Sequence, residues 1–189
     1  MRVTAGTLGG RNLIAPDDAR VRPTSDKVRQ AMFNILAHND FGAGFSFHGA
    51  RVADMFAGTG ALGIEALSRG AAFCLFVDDH AESRGLIRQN VEALGLTGIT
   101  KIWRRDATDL GPINTGSGGP FDLVFLDPPY RKDLVARCLR SLLDGGWLAP
   151  GAILVAETAE DELIPDTPGF RQLDERIYGA TRVLFLTRA

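Results

Sequence analysis

Two cysteines, three histidines and a formal net charge of −2 exclude several functions for this chain of 189 residues. Cys74 and Cys138 are too few for a disulfide framework or a cysteine metal cluster, so a reduced, cytoplasmic setting fits. His38, His48 and His80 show no ligand spacing, so surface or structural roles are expected and no metal. With 21 basic against 23 acidic residues, global charge does not point to nucleic acid, and any such partner must be met by a local patch. No apolar run is long enough to span a membrane, and Met1-Arg2-Val3-Thr4 starts in strand-like sequence rather than in a signal peptide. No internal repeat or low-complexity tract breaks the chain. What is present is a hydrophobic fraction of 45%, enough for one core and about one domain at this length.

The first 40 residues read as a basic extension on a catalytic unit spanning 50–189. Arg2 to Ala5 and Asn12 to Ala15 are short extended runs around Gly6, Gly9 and Gly10, which predicts a hairpin. Ser25 can cap a helix from Asp26 to about Ala37, with Val28, Met32, Ile35 and Leu36 on one face. Phe41 to Gly49 is a connector. From Arg51 strands and helices alternate. Strands are expected over Arg51–Phe56, Ala72–Val77, Ile99–Arg104, Phe121–Leu126 and Ala152–Glu157. Helices are expected over Ala61–Arg69, Ala81–Leu94 and about Lys132–Leu143. Arg171–Ile177 and Thr181–Thr187, split by Tyr178-Gly179-Ala180, read as a closing hairpin. Such alternation means an α/β fold with a parallel, doubly wound sheet, and the hairpin adds an antiparallel strand to it.

Asp127-Pro128-Pro129-Tyr130 closes the apolar run Phe121–Leu126. The two prolines stop that strand, because neither donates to a ladder and each holds its own φ. A carboxylate, two rigid carbonyls and an aromatic ring are thereby set at the C-terminal edge of the sheet, where open α/β folds bind ligands. The set suits a flat base with an exocyclic amine. That nitrogen is a poor nucleophile, since its lone pair is delocalised into the ring. Acceptors at Asp127 and the Pro128 carbonyl can favour a pyramidal nitrogen, and Tyr130 can stack on the base. The amine then attacks a methyl group in line, and Asp127 stabilises the cation that forms and can take its proton. The competing reading of the four residues is a strand-ending turn with a packed tyrosine. A cytosine-C5 mechanism would need a thiolate, but Cys138 shares a core face with Leu134, Val135 and Leu142, and Cys74 lies inside a strand.

Acidic residues recur at successive strand ends: Asp54, Asp78, Asp106 and Asp127, each about one strand–helix unit apart. The right-handed crossover rule puts them on one edge of the sheet. Buried together they are costly unless a ligand satisfies them. A sulfonium, a ribose diol and an adenine amine would do so. The loop Phe56-Ala57-Gly58-Thr59-Gly60, continuing to Gly63, fits a dinucleotide fingerprint as well as a methyl-donor loop. Asp54 upstream and Asp127 downstream favour S-adenosyl-L-methionine. Asp78, directly after the apolar strand, is assigned the ribose, with the adjacent Asp79 as the alternative. Asp106, followed by Ala107, is placed to accept from the adenine amine, or else is a helix-cap or turn aspartate.

The local patch is near the N-terminus. Arg2, Arg11, Arg22, Lys27 and Arg29 cluster there, and Arg22 to Arg29 runs from an extended segment through Thr24 into a helix start. Such a start flanked by arginines can hold phosphate. Arg131 is a further candidate for RNA contact, and a solvated charged face is the competing reading for each of these residues.

With these residues in view, the chain resembles the bacterial 16S rRNA guanine-N2 methyltransferases of the RsmD type. The resemblance runs through Arg2-Val3-Thr4-Ala5-Gly6 with Gly10-Arg11, Arg22-Pro23-Thr24 to Asn34, Asp54 to Ala71, Phe121 to Tyr130, and Tyr178-Gly179-x-Thr181. It implies a Rossmann-like class I fold with a seven-stranded, mostly parallel sheet and an antiparallel C-terminal hairpin. It also implies S-adenosyl-L-methionine as donor, and methylation of one guanine N2 of 16S rRNA within an assembling 30S subunit. Thr59 stands where serine is more usual and Asp78 where glutamate is common. No metal is implied, and a monomer is expected. Two alternatives stand beside this reading. One is an adenine-N6 or cytosine-N4 methyltransferase acting on DNA or RNA. The other is a non-catalytic RNA-binding assembly factor on the same fold.

Overall fold

The alternation after Arg51 produces one sheet. In the computed structural model, which describes residues 1–17, 24–38, 41 and 44–189, the strands are β1 (Arg51–Met55), β2 (Phe73–Val77), β3 (Thr100–Trp103), β4 (Phe121–Leu126), β5 (Leu148–Ala159), β6 (Phe170–Tyr178) and β7 (Thr181–Arg188). The helices are α1 (Asp26–His38), α2 (Ala61–Ser68), α3 (Ala81–Ala93) and α4 (Leu134–Asp144). The sheet order is β3-β2-β1-β4-β5-β7-β6. β1 to β5 are parallel to their neighbours, whereas β7 runs antiparallel between β5 and β6. The expected hairpin is therefore present, and its second strand lies inside the sheet while β6 takes the edge. The strand order reverses between β1 and β4, and in such sheets that crevice is where ligands bind.

Successive side chains of a strand face opposite sides. Val52, Cys74, Phe76, Leu123 and Phe125 accordingly join one core with Met32, Phe33, Ile64 and Ile87 from α1, α2 and α3. Ala53, Met55, Leu75, Val124 and Leu126 join the other with Val135, Cys138, Leu142 and Trp147. Each fully buried large apolar side chain contributes roughly 1.5–3 kcal/mol of transfer free energy. Cys74 and Cys138 are both wholly buried, and burial pushes both thiols well above their ordinary range. Neither can serve as a nucleophile.

Several element ends differ from the sequence expectation. β1 stops at Met55 because Phe56 takes φ 57°, a left-handed turn into the glycine loop. α4 starts at Leu134 rather than Lys132 because Arg131 and Asp133 are also left-handed, with φ 61° and 56°. β5 starts earlier, at Leu148, because Phe121 pairs with Leu148 before a register shift carries Leu123 onto Ile153. The N-terminal hairpin is reduced to one antiparallel bridge, Arg2 with Asn12. Its turn is spent on docking instead: Thr7 N–H donates to the Ser68 carbonyl at 2.8 Å and Leu8 N–H to Ser68 Oγ at 2.9 Å. A Cβ on Gly6 would lie 1.9 Å from the Ser68 carbonyl oxygen, so only glycine allows that approach. Val3 and Leu13 of the extension are buried in the same core as α1 and α2. Glu65 on α2, itself buried, accepts Thr4 N–H at 3.0 Å.

The Ser25 cap forms as expected, with Val28 N–H donating to Ser25 Oγ at 3.2 Å. Phe33, absent from the expected apolar face, is the most buried apolar residue of α1 and packs on Phe47 and Phe125. Among the described residues no helix is long and apolar enough to cross a membrane.

Candidate active site

The glycine loop and the strand ends beside it form the donor side of the crevice. Gly60 precedes α2 in a left-handed conformation, φ 82°. At Gly63 a Cβ would lie 2.4 Å from the Phe76 ring and 2.6 Å from Cys74 Sγ, so glycine lets α2 lie close on β2. Asp54, 1% exposed, accepts Gly63 N–H at 3.0 Å. Burial first, and then the nearby Asp78 charge, push its carboxyl up to about 8. Asp54 therefore braces the loop from behind, and it is not among the residues that line the cavity. Asp78 takes Gly58 N–H on Oδ2 and His80 N–H on Oδ1, both at 2.9 Å. It is the buried member of its pair, whereas Asp79 is exposed and approaches His80 Nδ1 at 2.7 Å.

A cavity of about 330 Å³ lies beyond these strand ends. It brings together Phe56, Asp78, Asp79, Asp106, Ala107, Asp127 and Pro129 from the sequence assignment. It does not bring in Ala57, Gly58, Thr59 or Gly60, whose part is backbone: Gly58 N–H goes to Asp78 and the Thr59 carbonyl accepts Asn90 Nδ2 at 3.0 Å. Asp106 Oδ1 accepts both the hydroxyl (2.6 Å) and the amide (2.8 Å) of Thr108. Those two bonds hold its carboxyl below the usual range. Asp106 is thus a turn aspartate that also faces the cavity.

The transfer side is built differently. Asp127 follows β4, with Pro128 buried and Pro129 exposed. Tyr130 OH donates to Glu157 Oε1 at 2.7 Å and lies 3.2 Å from Thr181 Oγ1 at the start of β7. Thr24 Oγ1, just ahead of α1, lies 2.6 Å from Glu157 Oε2 and 3.4 Å from Asp127 Oδ2. Burial, then Glu157, then Asp54 push the Asp127 carboxyl well above the ordinary carboxylate range. Burial likewise raises the Tyr130 phenol. Two carboxylates packed together with only hydroxyl partners are expensive, and such arrangements concentrate where charge is handled.

Glu157 is the residue that the sequence reading missed. Its signal was present: an acid closing the apolar run Ala152–Ala156, one strand beyond Asp127. It is 5% exposed and ties Thr24 and Tyr130 to β5, so it extends the carboxylate ladder to a fifth strand.

The proposed RNA contacts divide. Arg2, Arg11 and Lys27 are exposed, and Arg11 Nη2 reaches the Ala93 carbonyl at 3.3 Å. Arg131 is exposed and paired with Asp161. Arg22 lies outside the described residues. Arg29 is a correction: it is fully buried and donates to Asp26 at 2.8 Å, to the Thr24 carbonyl at 3.4 Å and to the Arg2 carbonyl. Its guanidinium braces the chain ahead of α1 and has no face for phosphate. Thr24 is a second correction, since its hydroxyl turns inward to the two carboxylates.

A reversed-order parallel sheet with an antiparallel C-terminal pair, an acid-held glycine loop and Asp-Pro-Pro-Tyr after β4 together define a class I methyltransferase. The solved structure of yhhF from Escherichia coli matches with a TM-score of 0.81 and 29% identity, covering 100% of this chain and 97% of that one. Residues 1–187 match the family described as "Conserved hypothetical protein 95", and the chain belongs to that family, the RsmD-type methyltransferases. YlbH of Bacillus subtilis is 35% identical over 184 residues, 97% of this chain and 96% of that protein. The Escherichia coli protein named "Ribosomal RNA small subunit methyltransferase D" is 36% identical over 169 residues, 89% of this chain and 79% of its own length.

Proposed function

We propose that this protein methylates the exocyclic N2 of one guanine in 16S rRNA, within an assembling 30S subunit in the cytoplasm, with S-adenosyl-L-methionine as donor. The observation that carries the reading is that Asp127 and Pro129, from the Asp-Pro-Pro-Tyr run, line the same cavity as Asp78 and Asp106. The name of the Escherichia coli relative supports a small-subunit rRNA as substrate.

The donor set fits the cofactor. Asp78 is a buried carboxylate with lone pairs left for a ribose diol, and Asp106 keeps an oxygen for an amine beyond the one that Thr108 uses. When bound, S-adenosyl-L-methionine supplies an electrophilic sulfonium methyl. Asp127 and the Pro128 carbonyl then accept from the guanine N2 hydrogens and favour a pyramidal nitrogen. Tyr130, held at its hydroxyl by Glu157 and Thr181, presents its ring to the base. Holding the amine in line supplies much of the rate, and the anionic pocket stabilises the cationic amine. Exposed Lys27, Arg2 and Arg11 give the RNA backbone a basic approach. The protein acts as a monomer in this reading, with residues 1–40 as a basic extension on the catalytic unit of residues 50–189.

The test is labelled-methyl transfer to small subunits from a strain lacking the enzyme, followed by nucleoside mass spectrometry. Label on N2-methylguanosine is expected. Label on adenine or cytosine refutes the guanine assignment, and absence of donor binding by calorimetry refutes the enzyme.

A further inference from the structure

A buried carboxylate needs partners. Among the described residues Glu157 has two hydroxyl donors, Tyr130 on Oε1 and Thr24 on Oε2, and it also bonds the Asp127 carboxyl. Among the described residues it forms no ion pair. Beside it lies the half-buried carboxyl of Asp127, which lines the cavity, and the Thr24 hydroxyl stands within reach of both. One hydroxyl has one proton to give. With Thr24 donating to Glu157, its oxygen is left to accept from Asp127. The Asp127 carboxyl, pushed up by burial, is then the group that can donate to that oxygen, with Glu157 as the acceptor at the end of the chain.

Methyl transfer poses a matching problem. The methylated amine is born cationic and must lose a proton, yet the nearest carboxyl, Asp127, already carries one. We propose that Glu157, joined to Asp127 through the Thr24 hydroxyl, is a second proton-holding group of the transfer site and receives the charge balance of that proton. The proposal rests on the amine-methylation reading above. In the step, the new N–C bond forms as the donor's S–C bond breaks. The amine's proton passes to Asp127, the proton of Asp127 passes to Thr24 Oγ1, and the proton of Thr24 passes to Glu157 Oε2. The pair then holds two protons, is uncharged, and returns one to solvent when product leaves. Glu157 acts through Thr24 and Asp127 and is a positioning residue, not one that touches substrate.

Among the described residues no basic side chain pairs with either carboxylate. Asp54 faces Asp127 from β1, Glu157 from β5, and Tyr130 from its own loop. Thr181 is the neighbour from β7, while the adjacent Arg182 is turned to Thr158 and the Glu162 carbonyl. From the first turn of α1, Arg29 bonds the Thr24 carbonyl and Asp26, not the two carboxylates. Arg131 points away to Asp161.

Remove Glu157's carboxylate and Asp127 must ionise alone, against burial and Asp54. The test is single-turnover methyl transfer at saturating donor and subunit across pH, with donor binding by calorimetry as a control. Glu157→Gln is expected to lose roughly 10–30-fold near about pH 6 and to recover most of it near about pH 9, as loss of a general base implies. An unchanged profile, or an equal loss at every pH, overturns the relay. If Glu157→Gln does not fold, Thr24 decides: Thr24→Val is expected to lose roughly 10-fold while Thr24→Ser keeps the wild-type rate. Wild-type transfer by Thr24→Val overturns the proposal. No label on guanine from the wild-type enzyme would instead refute the function itself.

Discussion

The two halves of the crevice hold the same kind of side chain in opposite conditions. On the donor half, Asp78 takes two backbone N–H groups and Asp106 takes a hydroxyl and an amide, so both are satisfied before any ligand arrives. Asp106 is held low as a result. On the transfer half, Asp127 and Glu157 have hydroxyls and each other, and Asp127 is pushed well up. A satisfied carboxylate is suited to gripping neutral ribose hydroxyls and amines. A frustrated pair is suited to meeting a cation that exists only during the reaction. The difference teaches that the ladder of acids is two devices on one sheet edge.

The sharpest way to break this comparison is to remove one acid from each half. Asp127→Ala is expected to lower the transfer rate by about 1,000-fold, the scale of a missing proton acceptor, with donor affinity nearly unchanged. Labelled-methyl transfer and calorimetry measure the two; near-normal turnover would sink the role given to Asp127. Asp78→Ala is expected to do the reverse and weaken donor binding by roughly 10–100-fold, from lost charge-assisted hydrogen bonds. Calorimetric affinity within twofold of wild type would place the ribose elsewhere.

The brace behind Thr24 gives a third contrast. Arg29→Met should cost roughly 1–2 kcal/mol of stability in a denaturant melt, because the Thr24 and Arg2 carbonyls lose a charged donor. Lys27→Ala should leave stability unchanged and weaken subunit binding more at low salt than at high salt. Equal effects of the two on stability would remove the distinction between brace and contact.

A last contrast is in the pH dependence of stability. Asp54 in the fold stands at about 8, above its unfolded value of about 4. The fold therefore binds its proton more tightly, and the stability this confers is complete below about pH 4 and is lost as pH rises through 8. Asp54→Asn keeps an oxygen for Gly63 N–H and carries no charge. Its Tm should fall by roughly 8–16 °C less than wild type between about pH 5 and 9; parallel curves would rule out Asp54 as the cause.

Much of the donor half was legible because its signals are local. Gly58-x-Gly60 after an apolar strand and an acid at the end of the next strand depend on short-range geometry, and both stand where periodicity put them. Asp106 was legible only in part, since whether a turn aspartate bonds its own backbone or a ligand is decided by loop geometry. Arg29 and Thr24 were misassigned for one physical reason. A basic segment reads as solvent-facing, but packing the extension on α2 and β1 buries its inner side, and a buried guanidinium must find acceptors in the chain. Glu157 was missed because one acid closing an apolar strand is a weak signal; its meaning comes from Tyr130 and Thr24, both distant in sequence.

By itself the sequence determined the alternation of strands and helices, the glycine turn and the proline-stopped carboxylate, because hydrophobic period and backbone restriction act within a few residues. The tertiary structure alone decided that Asp54 braces rather than lines the site, that Arg29 is internal, and that Glu157 stands behind Asp127. Burial and the pairing of charges depend on which strands become neighbours. β1, β4, β5 and β7 become neighbours only when the sheet closes its order across the crevice.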